Sequence, residues 1–326
     1  FSLISSIKAL SFFMARESSC AIAPADTILS SSVITPCTLI SEVLERLQVP
    51  VPPTSVQAAI AGQIKLIDKK IDTNTRISLL LEQIGQSIFK SWFVDFDPVH
   101  AKARGEKPEG LDEETAALFP ASFEDSELGL LPAGWKVGNL NDLVTLVKAP
   151  IKAGPETLSK PYVPIDVIRP KSLFLQDVAS SEEARTSLLA FERGDVLFGA
   201  MRPYFHKVCI APFAGTTRST NFVLRPQTHN IFSAIYLSLN ETVDFATKHS
   251  QGSTIPYAVW ASGLAEMDVT LPSTPVLDKF EAVAAPMFEL GERLLQQNKS
   301  LAEIRDALLP RLVSGELQIP EDLLGE

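Results

Sequence analysis

Residues 276–308 read VLDKFEAVAAPMFELGERLLQQNKSLAEIRDAL. Val276, Phe280, Val283, Met287, Leu290, Leu294, Gln297, Leu301, Ile304 and Leu308 recur at alternating steps of four and three. That is a heptad seam with one polar member, Gln297. Pro286 lies inside it and is expected to bend or interrupt the helix. Gly315 lies just past its end, where a left-handed cap is easy. A helix of about 35 residues spans roughly 50 Å. Its apolar seam needs a partner along the whole length.

The economical partner lies upstream. Ile60, Ile64, Ile67 and Ile71 lead to Asn74, and the pattern resumes after one slip at Ile77, Leu81, Ile84 and Ile88. Each helical pattern follows a short alternating run that ends in proline. The first run starts Leu47-Gln48-Val49-Pro50-Val51-Pro52, the second Met267-Asp268-Val269-Thr270-Leu271-Pro272. The two copies are offset by 220 residues at the prolines and by 224 where Asn74 matches Asn298. One module used twice, with different material between the copies, predicts two long helices packed as an antiparallel coiled coil. Two shorter helices in an ordinary core remain an open alternative.

Charge divides the intervening chain. The net charge is −10. Residues 95–134 hold 3 basic and 10 acidic side chains, whereas 135–275 hold 13 and 12. Acidity therefore sits in the first stretch and in the C-terminal segment, and a local basic face is compatible with 135–275. Residues 96–134 read as a Pro-, Gly- and acid-rich linker with a short helix near Asp112–Leu118. From Trp135 the pattern turns to short strands: Tyr162–Ile165, Asp195–Phe198, Lys207–Ile210 and Asn221–Leu224. Ile231–Lys248 reads as a helix with Ala234, Leu237 and Phe245 inward. Residues 1–46 take no fold assignment. Phe1–Phe13 is apolar but broken by Ser5, Ser6 and Lys8, and is expected to be a truncated piece of something larger rather than a secretion signal.

Catalytic chemistry is not expected. Neither a GxGxxG after a strand nor a GxxxxGK[ST] loop is present. An Asn-Pro-Pro-aromatic tetrad for amino methylation is missing, as is a Pro-Asp…Asp/Glu-x-Lys set for a nuclease. His100, His206, His229 and His249 lack metal-ligand spacing. Cys20, Cys37 and Cys209 form no CxxC, which fits a reducing, cytoplasmic setting. No metal, cofactor or membrane span is expected.

Several motifs resemble one family, in that family's order. Phe89-Lys90-Ser91-Trp92-Phe93-Val94-Asp95-Phe96-Asp97-Pro98-Val99 resembles the end of the central conserved helix of type I restriction-modification specificity subunits. Glu114–Pro120, Phe123–Gly129 and Leu131-Pro132-Ala133-Gly134-Trp135 are similar to the linker and the entry to the next target-recognition domain. Gly194–Phe198, Met201–Lys207 and Gln251–Pro256 are similar to that domain's interior and end. Ile304-Arg305-Asp306-Ala307-Leu308-Leu309-Pro310-Arg311-Leu312-Val313-Ser314-Gly315 resembles the distal conserved helix.

The resemblance implies an α+β chain: a compact mixed α/β target-recognition domain flanked by two long helices in an antiparallel coiled coil. In those terms 1–46 is unassigned, or the tail of a first recognition domain. The central conserved helix is 47–95, the linker 96–134, the target-recognition domain 135–275, and the distal conserved helix with its tail 276–326. It also implies a non-catalytic subunit that reads half of a bipartite site on double-stranded DNA. Its partners would be methylation and restriction subunits, with a homodimer through the long helices also allowed. A degraded remnant that serves only as a coiled-coil scaffold is the alternative.

DNA readers place base contacts on loops and phosphate contacts on basic side chains. Arg202 and Lys207 flank Tyr204 and Phe205 in a turn-prone run, which reads either as a contact loop or as a packed turn with Phe205 in the core. Arg218, Ser219, Thr220 and Asn221 form a polar turn between strands. Arg218 suits guanine and Asn221 adenine, or the turn is simply solvated. Ser253, Thr254 and Tyr257 make a third polar loop, and Lys148 and Lys152 suit phosphate.

Overall fold

The computed structural model describes residues 51–252 and 254–320. Residues 1–46 and the first four residues of the upstream repeat, Leu47–Pro50, lie outside the described residues. Two helices of 40 residues each dominate, α1 (Thr54–Phe93) and α7 (Thr274–Val313). Both are longer than the sequence pattern implied. Between them run α2 (Asp97–Ala103), α3 (Glu113–Ala117), β1 (Phe123–Ser126), β2 (Gly129–Pro132), β3 (Lys136–Asn139), β4 (Val144–Leu146), β5 (Pro150–Ile151), α4 (Pro155–Leu158), β6 (Leu188–Phe191), β7 (Val196–Gly199), β8 (Val208–Ile210), β9 (Gly215–Arg218), β10 (Asn221–Pro226), α5 (Asn230–Leu237), α6 (Asn240–Lys248), β11 (Ser250–Gln251), β12 (Tyr257–Ala258) and β13 (Asp268–Leu271).

The described residues fall into two compact units, 51–71 with 299–320 and the described residues of 72–298. In the first, Ile60 and Leu312 are buried, and Asp68 accepts a hydrogen bond from the Arg305 guanidinium at 2.8 Å.

In the second unit the helices run antiparallel. Asn74 meets Asn298, Gly85 lies against Phe288, and Phe89 against Phe280. Numbers rise along α1 as they fall along α7. The Asn74 amide nitrogen donates to Asn298 Oδ1 at 3.0 Å and to Gln297 Oε1 at 2.9 Å. Positions matched by the internal repeat thus touch each other, as they must where a local two-fold axis crosses an antiparallel pair.

The seam in this unit departs from the sequence pattern. The buried positions of α1 are Asn74, Ser78, Glu82, Gly85, Phe89, Trp92 and Phe93, whereas Ile77 and Ile84 are exposed. On α7 they are Val276, Leu277, Phe280, Ala284, Phe288, Gly291 and Leu295, whereas Leu290 and Gln297 are exposed. The heptad reading assumed that each helix faces only its partner. Here each is also covered by the segment between them, so the buried stripe rotates toward that segment. Small residues then let backbones and rings approach: a Cβ on Gly85 would lie 2.8 Å from the Phe288 ring. Pro286 does not interrupt α7. It is exposed, as is Ala282, so the carbonyl that lost its donor can face water.

The intervening chain builds small antiparallel sheets with strand orders β4-β10-β7-β8 and β5-β6-β9, and the pairs β1-β2, β13-β3 and β11-β12. Two expected elements differ. Tyr162–Ile165 is not a strand: Tyr162 makes only isolated bridges and a 3-10 turn follows at Ile165–Val167, since Pro164 has no N–H to continue a ladder. Ile231–Lys248 splits into α5 and α6 at Ser238 and Leu239. Ala234 and Leu237 face inward as expected, and Phe245 is half-buried against the core with its ring stacked on His249 at 3.9 Å, beside the fully buried Ala246.

One aromatic cluster ties these parts together. Phe89, Trp92 and Phe93 of α1 meet Phe119, Trp135, Phe232 and Phe280 at centroid distances of 5.0 to 6.1 Å. Full burial of side chains this large contributes about 1.5–3 kcal/mol each. Phe119 belongs to the stretch read as a linker, which therefore packs into the core at that point. Beside the cluster the buried Glu82 carboxylate accepts from the Leu173 amide and from Ser172 Oγ at 3.1 Å, fastening α1 to the loop before β6.

Candidate nucleic-acid interface

Three loops picked from sequence converge. In β10 paired with β7, Asn221 faces Gly199 at the end of the sheet. Just beyond that end, the Ala200 and Met201 amides both donate to the Thr220 carbonyl at 2.9 and 3.1 Å. The Arg202 amide donates to the Pro256 carbonyl at 2.7 Å, and the Ala258 amide to the Ala200 carbonyl at 2.8 Å. Met201 and Tyr257 form an isolated antiparallel bridge. The 200–205, 218–221 and 254–258 segments are thereby stitched into one surface by backbone hydrogen bonds. Nothing in the spacing of these segments along the chain foretold that.

The same end of the neighbouring sheet adds cations. Ile151, Leu188 and Arg218 lie in register across β5, β6 and β9, so Lys152 follows at that edge. The Ser219 amide donates to the Ser187 carbonyl at 3.0 Å. Arg218 and Ser219 are exposed. The Arg218 guanidinium also lies against the Tyr162 hydroxyl, whose pKa burial holds above the ordinary tyrosine value. Lys148 and Lys152 are exposed, with no ion-pair partner among the described residues. Lys148 precedes β5 and is not part of the loop cluster.

The remaining picked residues are placed less openly. The Lys207 ammonium donates to the Ile165 carbonyl at 2.8 Å, which ties it to the domain's own backbone. Asn221 is buried, and its amide nitrogen donates to Thr217 Oγ1 at 2.8 Å. Thr254 and Tyr257 are exposed. Ser253 lies outside the described residues. Phe205, which the sequence left between core and surface, is exposed.

Electrostatics single this surface out. Residues 196–240 contain no Asp or Glu but do contain Arg202, Lys207, Arg218 and Arg225. Residues 249–265 carry no Asp, Glu, Lys or Arg at all. In a chain of net charge −10, the loops that meet at this end are free of acid. Several buried polar atoms here also lack a partner among the described residues: Arg202 Nε, Thr220 Oγ1 and Asn221 Oδ1. Unpaired buried donors and acceptors are rare in folded proteins and call for a ligand or an ordered water. The Arg225 guanidinium, by contrast, is committed to the buried Asp195 carboxylate at 2.8 and 3.0 Å. No group of three or more His, Cys, Asp or Glu suited to a metal occurs among the described residues. No helix among them is long and apolar enough to cross a membrane.

Comparison with known proteins adds relatives of one kind. No family model matches the chain. It is 26% identical over 317 residues to the type I restriction enzyme HindI specificity subunit of Haemophilus influenzae, covering 82% of this chain and 68% of the relative. It is 27% identical over 292 residues to the MjaIX specificity subunit of Methanocaldococcus jannaschii, covering 85% and 62%. Against the EcoDI specificity subunit of Escherichia coli the identity is 23% over 215 residues, covering 62% and 48%. The chain thus spans between half and about two thirds of the length of these curated relatives. Among solved structures, the type I S subunit from M. genitalium aligns with a TM-score of 0.48 and 12% identity, covering 79% of this chain and 61% of that one.

Proposed function

The chain is a distant homologue of type I restriction enzyme specificity subunits over most of its length, and from that premise we propose that residues 135–275 are a target-recognition domain that reads one half of a bipartite DNA site. The observation that carries this reading is the meeting, on one surface, of three polar loops that contain no acidic residue. Phosphate repels carboxylates and attracts Lys and Arg, and base edges are read by exposed hydrogen-bonding side chains. Arg218 and Ser219 are placed to contact bases. Lys152 and Lys148 suit the phosphate backbone. Tyr204, Thr254 and Tyr257 complete the face.

In this reading the subunit is non-catalytic and intracellular. It delivers methylation subunits, and with them restriction subunits, to the site. The long helices hold the distance between half-sites and offer a surface for those partners or for a second copy of the chain.

The test is a selection from a randomised duplex library by the complex of this chain with its methylation subunit, at two salt concentrations. A split motif is expected if two recognition domains act together through dimerisation. A single short half-site is expected from one chain alone. Binding that is only salt-sensitive, with no sequence enriched, overturns the reading and leaves a coiled-coil scaffold without DNA specificity.

A further inference from the structure

Tyr204 and Phe205 stand out at the loop end of the sheets. They are adjacent, 50% and 47% exposed, with ring centroids 4.8 Å apart and planes tilted by 59°. They form the tip of a 3-10 turn, Pro203–Phe205. Arg202 (φ 51, ψ 62) and His206 (φ 55, ψ 50) bracket that turn, both in the left-handed region without being glycine. Such residues are strained and persist only where their surroundings over-determine them.

The surroundings do so here. Pro203 is buried. The Arg202 amide is held by the Pro256 carbonyl, and the Lys171 amide donates to the His206 carbonyl at 2.9 Å. The His206 ring nitrogen Nε2 lies 2.6 Å from the Ser238 carbonyl, an arrangement that requires it to carry the proton and donate. Burial lowers the pKa of His206 and so favours the neutral ring. Lys207 is pinned to the Ile165 carbonyl behind. The turn is anchored on every side except the one that carries the two rings.

Packing gives no reason for this shape. Two strained residues and two wet aromatic rings are a net cost to the folded chain alone. Ile255 (42%) and Tyr257 (38%) beside the turn are exposed as well, so the tip sits in an apolar patch. Arg202 and Arg218 lie in the loops around that patch, which carry no acid of their own, while Glu241 and Asp244 belong to α6, which packs against the turn on the His206 side. A partner that offers flat apolar faces and carries negative charge fits both features, and stacked base pairs between phosphates are such a partner.

We propose that Phe205, backed by Tyr204, is a wedge that enters the duplex between two adjacent base pairs and opens the stack. The chain then reads the deformability of one base step in addition to hydrogen-bonding base edges. This rests on the DNA-reading function proposed above.

The experiment uses the full chain in complex with its methylation subunit and the selected duplex. 2-Aminopurine is placed in turn at each position of the half-site, with Phe205→Ala, Tyr204→Ala and Phe205→Leu compared with wild type. Wild type is expected to raise fluorescence several-fold at one step only, since unstacking releases the quenching of the base. Phe205→Ala is expected to abolish that signal and to weaken specific binding about 10- to 100-fold. Phe205→Leu, still an apolar wedge, should retain most of the signal. Tyr204→Ala should lower it partially.

Sequence-specific binding by wild type with no bright step, or a bright step that survives Phe205→Ala, overturns the wedge and leaves DNA reading intact. Loss of the methylation subunit from Phe205→Ala, with no bright step in wild type, reassigns the patch to a protein contact. Absence of any sequence-specific binding by wild type removes the DNA-reading function itself, and the wedge with it.

Discussion

Asn74, Ser78 and Glu82 on the inner face of α1 are chemically close to Asn221, Thr220, Ser219 and Arg218 at the loop end of the sheets, yet most of the two sets do opposite things. On α1 the polar groups are turned into the fold and, the Asn74 side-chain oxygen apart, answered there. The Ser78 hydroxyl lies 2.9 Å from the Asn74 carbonyl and 3.1 Å from the Gly291 carbonyl, bridging two helices. Glu82 is answered by Ser172 and by the Leu173 amide. At the loop end Arg218 and Ser219 face water, and Arg202 Nε and Thr220 Oγ1 are buried with no partner among the described residues. Asn221 stands between the two sets, because its amide nitrogen is committed to Thr217 while its side-chain oxygen has no partner among the described residues. What separates scaffold from reading surface is whether the hydrogen-bonding capacity is already used, not how polar the residues are.

The largest expected effect breaks the scaffold side. Phe280 is fully buried against Phe89, Trp92, Phe93 and Phe232. Phe280→Ala is expected to cost about 3–5 kcal/mol, read as a fall in the urea midpoint. A midpoint within error of wild type would mean that the aromatic cluster does not hold the helices to the domain. A smaller effect is expected at Gly291, where an added methyl would overlap the Phe174 ring. Gly to Ala inside a helix ordinarily stabilises by about 0.5–1 kcal/mol. Here the clash should reverse the sign and Gly291→Ala should destabilise by about 1–3 kcal/mol. Stabilisation would show that the helix and the loop before β6 can move apart freely.

These two positions also mark where sequence reading succeeds and fails. The existence of both long helices, their antiparallel pairing and the match of Asn74 to Asn298 were legible, because a heptad pattern and an internal repeat are local properties of the chain. The buried stripe was not legible. Ile77 and Ile84 fit the seam better than Ser78 and Glu82 do by hydropathy, and only the segment lying against the pair decides which face is covered. The strands at Val196, Val208 and Asn221 were legible from short β-branched and aromatic runs. Tyr162–Ile165 was not, since its apolar content says nothing about the missing donor at Pro164. For the candidate site, the sequence offered three loops as separate picks. Their meeting depends on Thr220, Ala200 and Pro256 offering backbone groups to one another, which no spacing encodes. Asn221 was chosen for its side-chain chemistry, and chemistry alone does not report burial.

A pair of substitutions sharpens the comparison at the loop end. Arg218→Ala is expected to leave the urea midpoint nearly unchanged, as exposed positions do, and to lower specific DNA affinity by about 1–3 kcal/mol. Asn221→Ala is expected to do the reverse in kind, costing about 1–2 kcal/mol of stability through a lost buried hydrogen bond. Its effect on affinity should disappear once the folded fraction is allowed for. Lys152→Ala should weaken binding evenly across sequences and reduce the salt slope by about one. Titrations at several salt concentrations, beside denaturation curves, separate the three. Equal losses of affinity for Arg218→Ala and a correctly folded Asn221→Ala would dissolve the distinction between used and unused polar groups.

The smallest effect concerns Glu82, the one ionisable group on the buried face of α1 in the 72–298 unit. Its hydrogen-bonding neighbours are neutral: Ser172, the Leu173 amide and Gln86. Burial raises its pKa above the ordinary 4.5, and the hydrogen bonds from Leu173 and Ser172 only partly oppose that. A raised carboxyl pKa in the folded state fixes the sign. Below the unfolded value both states are protonated and the side chain contributes fully to stability. As pH rises through the folded value a buried group must ionise, and that contribution is lost. Above it the curve is flat again. Glu82→Gln keeps an acceptor for the Leu173 amide and cannot ionise. The stability of the variant relative to wild type should therefore climb as pH rises from about 4.5 and then level off. A difference independent of pH across that window would mean that Glu82 ionises as easily inside the protein as outside. The fastening of α1 to the loop before β6 would then owe nothing to a desolvated carboxylate.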